Sequence, residues 1–289
     1  MRSPTASGPD MHPADSSAGD DPISLRDFAG SLARDAGRLA YAGRRAARDD
    51  AAALGETTKS TGTDIVTTFD RAAEAEIVAR LRGARPADAI VGEEGTADSG
   101  TSGYAWFIDP IDGTTSFVYD LPTWSCSVAV AHQGTMLAGA VYVPPLDELF
   151  DAARGHGARL NGDPIAVSTE TDLALALVAT GFSYNAETRR AQAARLAQMI
   201  GNVRDIRRMG SAAIDLCFVA AGRVDVYFEQ NLNSWDSAAG ELIAREAGAT
   251  TSNFSGGPAR PSEMLASAPG LHSAFVDLLT TTATAATPL

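Results

Sequence analysis

The sequence is short of cysteine, histidine and basic residues, and it has no long apolar run. Its 289 residues include two cysteines, Cys126 and Cys217, too few for a disulfide framework or a four-cysteine zinc site. Both lie among apolar residues, which is typical of buried free thiols. The chain has 23 Lys and Arg against 36 Asp and Glu, and this net charge of −13 disfavours nucleic acid and anionic membranes as partners.

The sequence also lacks the features of a membrane or secreted protein. No apolar run approaches the ~18 residues of a membrane span, and residues 1–22 lack the apolar stretch of a secretory signal. We therefore expect a cytoplasmic protein with no membrane partner. Residues 1–22 are rich in Ser, Pro, Gly, Ala and Asp and are predicted to be a disordered tail, with a frayed tail at 281–289. Because no linker or repeat interrupts residues 23–280, we expect one domain there.

Hydrophobic periodicity predicts helices and strands in layers rather than a regular βαβ array, so the expected fold class is α+β. Ser24 followed by Asp27 is typical of a helix start. Helices are predicted at 24–48, 69–81, 188–200, 212–221, from about 235, and at 272–279. Strands are predicted at 89–91, 106–108, 125–131, 138–143, 149–152, 175–180 and 224–228. Closely spaced Gly and Pro residues in the first half predict a mainly antiparallel sheet.

Acidic residues stand at the ends of apolar elements in three segments. Glu93 follows one predicted strand, Asp109 and Asp112 follow another, and Asp236 stands at a helix start. Taken singly, each has an ordinary explanation as a turn or a helix cap. Gathered in one place they would repel one another and need a cation. Oxygen ligands select Mg²⁺, Mn²⁺ or Ca²⁺, and none of the four histidines lies in these segments, so we favour Mg²⁺ over zinc.

The backbone after Asp112 suggests what such a cation would work on. The Gly113, Thr114 and Thr115 amides are candidates for an anion cradle. Metal ions beside such a cradle predict hydrolysis of a phosphate ester. The Asp-x-Asp-Gly-Thr pattern of haloacid-dehalogenase-type phosphatases, which has a covalent nucleophile, does not fit. Two residues rather than one separate Asp109 from Asp112.

Several segments in order resemble the inositol monophosphatase family. They are Asp-Pro-Ile-Asp-Gly-Thr-Thr at 109–115, Trp-Asp-Ser-Ala-Ala-Gly at 235–240, and matching segments at 64–70 with Glu74, 92–95, 210–213 and 227–229. The resemblance runs from about residue 59 to residue 265. It implies the layered α-β-α-β-α sandwich of the inositol monophosphatase and fructose-1,6-bisphosphatase type. It also implies a Mg²⁺-dependent, lithium-sensitive phosphomonoesterase, usually a homodimer, with a metal-binding N-terminal half and a substrate-side C-terminal half.

The resemblance also implies roles for residues of this chain. Two or three Mg²⁺ ions, with Mn²⁺ as a possible substitute, would be held by Glu93, Asp109, the Ile111 carbonyl, Asp112 and Asp236. The catalytic residues would be Glu93, Thr114 and Asp70, with Thr114 hydrogen-bonded to Asp70 and orienting or deprotonating the attacking water. The substrate-binding residues would be Asp112, Gly113, Thr114, Gly210, Ser211, Ala212, Glu229 and Asp236.

The sequence motifs do not decide which alcohol the substrate ester contains. Glu229 favours a small phosphorylated polyol, inositol 1-phosphate first, because a carboxylate can accept hydrogen bonds from two neighbouring hydroxyls. Metal-activated water would release inositol and phosphate. Alternatives are histidinol phosphate, fructose 1,6-bisphosphate, an adenosine bisphosphate, or a regulatory role in ribosomal RNA transcription complexes. Lys59 either neutralises a phosphate or caps the acidic cluster, and one of Asp64 and Asp70 is explained by helix capping alone.

Overall fold

The structure is a computed structural model that describes residues 20–48, 51–59, 62 and 65–285. Its α-helices are α1 (Pro22–Ala46), α2 (Thr68–Ala84), α3 (Thr114–Val118), α4 (Ala186–Met199), α5 (Ala212–Ala220), α6 (Ser234–Glu246) and α7 (His272–Ala285). Its strands are β1 (Thr57–Thr58), β2 (Ile65–Val66), β3 (Ala89–Gly92), β4 (Ala97–Asp98), β5 (Tyr104–Asp112), β6 (Ser125–His132), β7 (Thr135–Val143), β8 (Glu148–Ala153), β9 (Ala158–Leu160), β10 (Asp163–Ile165), β11 (Leu177–Thr180), β12 (Asp205–Arg207), β13 (Val226–Gln230), β14 (Thr250–Ser252) and β15 (Glu263–Ser267).

Among the described residues, the strands form two large sheets and one small pair, β1 with β2. The larger sheet has the order β10-β9-β8-β7-β6-β5-β3-β4. Its pairs are antiparallel except β3 with β5, as the closely spaced turns predicted. The second sheet has the order β12-β11-β13-β15-β14, with β11 parallel to both of its neighbours and the other pairs antiparallel.

Successive side chains of the central strands enter different cores. In β6, Cys126, Val128 and Val130 pack with α1 and α2, whereas Ala129 packs with α5 and α6. The same alternation in β13 places its side chains against α5 on one face and against α4 and α7 on the other. Helices cover both faces of each sheet, so successive side chains of the central strands are apolar rather than alternating between apolar and polar. The predicted α-β-α-β-α sandwich is confirmed.

The second sheet contains three strands that the sequence analysis did not predict, and one of them is β12, at the edge beside β11. β15 pairs with β13 near the middle of that sheet, and β14 forms its other edge. A run of a few apolar residues such as those in β15 has no diagnostic period, so a strand there depends on a neighbouring strand to pair with. The formation of these strands therefore depends on pairing with strands that are distant in sequence.

At both ends of the described chain, a few residues that were expected to belong to tails are helical. Residues 1–19 and 286–289 lie outside the described residues. The Asp20 amide donates to the Tyr104 hydroxyl at 2.8 Å, and α1 starts at Pro22 rather than Ser24, because the Asp21 carboxylate caps the helix. At the other end, α7 continues through residues 281–285, which were expected to fray. The buried Thr282 hydroxyl donates to a carbonyl of the preceding turn.

Strand β7 lies unusually close to helix α6 at Gly139. A methyl group at this position would lie 2.9 Å from Cα of Ala239, which is backbone and cannot move aside easily. We expect Gly139→Ala to lower the free energy of unfolding by about 1–3 kcal/mol, measured by urea denaturation. The control is Gly83→Ala on α2, where a methyl group meets nothing within 4 Å and stability should stay unchanged or rise by up to about 1 kcal/mol. Equal effects of the two substitutions would contradict this packing.

Candidate active site

A cavity of about 580 Å³ contains most of the residues that the sequence singled out. Asp70 and Ser211 do not line the cavity themselves. Asp70 is hydrogen-bonded to Thr114 and Ser211 to Asp112, and both of these partners line it. Asp64 lies outside the described residues. The predicted site residues that line the cavity are Glu93, Asp109, Ile111, Asp112, Gly113, Thr114, Gly210, Ala212, Glu229 and Asp236.

The turn from β5 into α3 places two of the carboxylates. The pairing of β5 with β6 shifts register between Asp109 and Asp112, so this end of the strand bulges. Gly113 then adopts φ +93°, a conformation that favours glycine. A methyl group at Gly113 would lie 3.0 Å from the carbonyl oxygen of Gly210, so the turn fits closely against the Gly210 loop. This turn therefore brings the acidic residues of β5 to the segment that begins α5.

Asp112 is held by the start of α5. Its Oδ2 accepts hydrogen bonds from the Ser211 hydroxyl at 2.6 Å and the Ala213 amide at 2.7 Å. Burial nevertheless raises the pKa of Asp112 to about 6, outweighing those two hydrogen bonds, which lower it. The carboxylate is thus fixed in position while its negative charge remains only partly compensated.

Asp70 serves both as a helix cap and as a partner of Thr114. Its Oδ2 accepts from the Thr67 amide and hydroxyl at 2.8 and 2.5 Å, which forms a capping box at the start of α2. Its Oδ1 accepts from the Thr114 hydroxyl at 3.3 Å. Burial raises the pKa of Asp70 to about 7, although the bonds from Thr67 lower it. Capping and a proton-accepting role are therefore compatible in this one side chain.

The other two aspartates of the cluster repel one another and their neighbours. Burial raises the pKa of Asp109 well above its usual range, and the charges of Glu93, Asp112 and Asp236 raise it further. Burial, and next the charge of Asp112, also raise the pKa of Asp236 well above its usual range. The hydrogen bond that Asp236 accepts from the Asn233 amide at 2.6 Å lowers this pKa but does not outweigh them. Carboxylates that line one cavity and repel one another in this way are suited to a cation.

Glu93 belongs to a turn that a buried acid holds in place. Glu74 on α2 accepts from the Glu94 amide at 2.8 Å and from the Thr96 hydroxyl at 2.6 Å. Lys59 is the side chain that neutralises this turn, with Nζ 2.9 Å from Glu93 Oε1 and 2.5 Å from Glu94 Oε1. Burial lowers the pKa of Lys59, but Glu93 and Glu94 together raise it above its ordinary value. In this structure Lys59 caps the acidic turn.

The donor set fits a hard divalent cation. The carboxylates and the Ile111 carbonyl are oxygen donors of the kind that Mg²⁺ prefers. The carbonyl accepts the Thr114 hydroxyl at 3.2 Å and keeps a second lone pair. Within the described part of the chain, no three Asp, Glu, His or Cys side chains are already gathered into a metal-binding arrangement. Glu93, Asp109, Asp112 and Asp236 nevertheless line one cavity.

Glu229 lines the same cavity as Glu93 but comes from β13, in the second sheet. Its Oε2 accepts from the Tyr227 hydroxyl at 2.8 Å. A methyl group at Gly181 would lie 2.0 Å from that oxygen, so glycine there leaves the room that Glu229 needs. Burial raises the pKa of Glu229 to about 7. Gly181, Tyr227 and the cavity residue Arg208 were not predicted as site residues, because no local pattern marks a position whose partner comes from another element.

Comparisons with known proteins agree with this fold and cavity. A family model described as the inositol monophosphatase family matches residues 23–284. "Inositol-1-monophosphatase" of Mycobacterium leprae is 42% identical over 275 residues, covering 90% of this chain and 94% of that protein. "Nus factor SuhB" of Pasteurella multocida is 46% identical over 213 residues, covering 73% of this chain and 78% of that protein.

A solved structure is similar over most of both chains. The extragenic suppressor protein suhB from Bartonella henselae has a TM-score of 0.83 and 34% identity, covering 89% of this chain and 98% of that one. The fold and the cavity thus define a phosphomonoesterase of the layered sandwich class. The chain belongs to the inositol monophosphatase family, which confirms the resemblance seen in its motifs. In the described residues, no helix is both long and apolar enough to cross a membrane.

The half-buried Glu229 leads to a testable dependence of stability on pH. Its pKa of about 7 in the folded chain lies above the ordinary 4.5, so the wild-type protein loses stability as pH rises from 4.5 through 7 and the carboxylate ionises. We expect Glu229→Gln in EDTA to match wild type below pH 4.5 and to exceed it above pH 7 by up to roughly 3 kcal/mol. Urea unfolding at several pH values measures this difference.

The exposed Glu187→Gln on α4 is the matched control, since it removes one negative charge away from the cavity. A difference between Glu229→Gln and wild type that stays constant over the whole pH range would contradict the burial of an ionisable Glu229.

Proposed function

We propose that the protein catalyses Mg²⁺-dependent hydrolysis of a small polyol phosphate monoester, most specifically inositol 1-phosphate to inositol and phosphate. The observation that carries this proposal is that β5 and α6 bring Asp109, Asp112 and Asp236 to one cavity of about 580 Å³, where neighbouring negative charges raise the pKa of Asp109 and Asp236. The name of the Mycobacterium leprae relative supports the alcohol, and Glu229 offers a carboxylate to neighbouring hydroxyls.

The metal ligands follow from the donor set. We infer that Glu93, Asp109 and the Ile111 carbonyl would hold one ion, and that Asp109, Asp112 and Asp236 would hold a second. Glu93 would help to place a third, and Mn²⁺ would substitute for Mg²⁺. Bound divalent ions would lower the pKa of water and neutralise charge on the phosphate in the transition state.

Thr114 and Asp70 would handle the proton of the attacking water. The Thr114 hydroxyl lies at the cavity wall, and Asp70 behind it accepts its hydrogen bond at 3.3 Å. A carboxylate with a pKa of about 7 is well matched to accept a proton near neutral pH. In this arrangement Thr114 orients the water and Asp70 receives the proton through the hydroxyl, while Glu93 acts as a further catalytic residue.

The remaining cavity residues would position the ester. The Gly113 and Thr114 amides would hold the phosphate, because they begin the turn after the acidic strand end. The side of the cavity formed by α5, β13 and α6 would bind the alcohol, with contacts from Asp112, Gly210, Ser211, Ala212, Glu229 and Asp236. Phosphate and hydroxyls are thereby separated along the cavity.

Phosphate release from inositol 1-phosphate tests the proposal directly. We expect release with Mg²⁺, loss of release with EDTA and recovery when excess Mg²⁺ is added back. Lithium should slow the reaction by competing for a metal position. Histidinol phosphate, fructose 1,6-bisphosphate and an adenosine bisphosphate serve as comparison substrates. A clear preference for histidinol phosphate would replace the inositol assignment, and no release from any of these esters would overturn the enzymatic proposal.

Replacing Asp112 tests the metal site separately from the fold. In Asp112→Asn the amide oxygen can still accept from Ser211 and Ala213, but the ligand charge is lost. We expect the Mg²⁺-dependent rise in melting temperature to disappear and turnover to fall at least ~100-fold, with the metal-free melting temperature maintained. The control is Asp98→Asn, a carboxylate paired with Arg82 outside the cavity. An active Asp112→Asn with unchanged metal dependence would contradict the site.

A regulatory role is the second candidate, because the Pasteurella multocida relative is named a Nus factor. In that case the protein would act in ribosomal RNA transcription complexes, independent of catalysis. Co-purification of transcription proteins with both the wild-type chain and Asp112→Asn would support such a role. A homodimer and a cytoplasmic location remain proposals, which gel filtration and cell fractionation would test.

A further inference from the structure

The cavity is lined by an amide side chain whose orientation is fixed by an arginine outside it. Gln230 ends β13 directly after Glu229, and it is half-buried and lines the cavity. Its Oε1 accepts a hydrogen bond at 3.0 Å from Nη1 of Arg195 on α4. Because a guanidinium has donors and no acceptor, the amide atom that faces Arg195 must be the oxygen. The other amide atom of Gln230, Nε2, is therefore a donor that points away from Arg195.

The Nε2 group of Gln230 is available to a ligand. Among the residues that the structure describes, no hydrogen bond engages this nitrogen, yet it is not buried away from solvent. The Arg195 guanidinium is itself held against the Phe254 ring, with Cζ 5.4 Å from the ring centroid. Since the amide is already oriented, a ligand that binds it has less side-chain entropy to remove.

Glu229 supplies an acceptor next to this donor. Its Oε2 accepts from the Tyr227 hydroxyl at 2.8 Å, and within the described chain no hydrogen bond engages its Oε1. Glu229 and Gln230 line the same cavity, because β13 ends there and both side chains reach it. Two successive residues therefore offer a ligand one acceptor and one donor.

Two neighbouring hydroxyls match this arrangement, whereas an ammonium group does not. One hydroxyl can donate to Glu229 while the oxygen of the next hydroxyl accepts from Gln230. An ammonium group, such as that of histidinol, has three donors and no acceptor, so it would leave the Nε2 donor without a partner. A site built to donate to a hydroxyl oxygen disfavours a ligand that lacks that acceptor.

We propose that Gln230 is a specificity-determining residue that selects esters of vicinal diols over esters of amino alcohols, and that Arg195 is the positioning residue that orients its amide. Glu229 alone does not make this distinction, because a carboxylate accepts hydrogen bonds from hydroxyls and from ammonium groups alike. The inference rests on the proposed phosphatase function and names the feature of the alcohol that the cavity recognises.

Two esters with the same six-membered carbon ring test the donor role of Gln230. Initial rates of phosphate release with Mg²⁺ are compared for inositol 1-phosphate and for cyclohexyl phosphate, which lacks the ring hydroxyls. In Gln230→Leu we expect kcat/KM for inositol 1-phosphate to fall ~3- to 10-fold, mainly through KM, and kcat/KM for cyclohexyl phosphate to change less than ~2-fold. Where an ester is not hydrolysed, its inhibition constant takes the place of kcat/KM. Equal changes for the two esters would overturn the proposal.

Gln230→Glu tests the choice between hydroxyl and ammonium. This variant keeps the size of the side chain and its contact with Arg195, but it replaces the Nε2 donor with an acceptor. We expect the ratio of kcat/KM for histidinol phosphate to that for inositol 1-phosphate to rise at least ~5-fold over wild type, because the ammonium then finds a second acceptor. An unchanged ratio would overturn the proposal.

Arg195→Leu tests the positioning role. We expect KM for inositol 1-phosphate to rise ~2- to 5-fold in this variant, but less than ~1.5-fold when the same change is made in Gln230→Leu, because no amide is then left to orient. Fully additive losses would overturn the role of Arg195. The matched control is Gln198→Leu, an exposed position on α4 outside the cavity, which should leave both ring esters unchanged. A loss as large as that of Gln230→Leu would contradict a specific role for Gln230.

Failure of the phosphatase function itself gives a different result. In that case wild type releases phosphate from none of the esters, and calorimetric titration with inositol 1-phosphate and cyclohexyl phosphate decides the role of Gln230. Tighter binding of inositol 1-phosphate that weakens ~3- to 10-fold in Gln230→Leu would support the site. Equal affinity for the two esters, or binding of neither, would overturn it.

Discussion

The structure depends on holding several buried and half-buried carboxylates at the ends of strands and helices that meet at one cavity. Asp109, Asp112 and Asp236 each have a raised pKa, which means that their ionised forms are costly in the folded chain. The packing of the surrounding sheets and helices must therefore stabilise the fold by more than this unfavourable free energy of ionisation. A divalent cation would relieve it, so the same repulsion that weakens the free protein would favour metal binding.

The polar side chains around the cavity combine structural and chemical roles. Asp70 caps α2, Ser211 caps α5, and Asp236 completes a capping box at α6. These helices begin beside the cavity, so the partial positive charge of their first turns lies near the acidic cluster. Helix capping and a functional role are therefore not competing explanations, because a capping carboxylate has a second oxygen that can face the cavity, as Asp70 shows with Thr114.

Both sheets contribute charged side chains to the cavity. The first sheet contributes Asp109 and the turn that contains Glu93, which would attract cations. The second sheet contributes Glu229, and the charge of Arg208, in the loop before α5, lowers the pKa of Glu229 and of Asp112.

The sequence by itself determined the helices and strands with clear periodicity, among them α1, α2 and β6, and the acidic motifs at their ends. It also determined the family, since motifs such as 109–115 depend on residue order alone. Packing of the two sheets decided the rest. The contact of Asp112 with Ser211 joins residues 99 positions apart, and β15 becomes a strand through β13. Periodicity reports only on neighbours along the chain. The burial that raises the pKa of Glu229, and the charge of Arg208 that partly offsets it, therefore exist only in the tertiary structure.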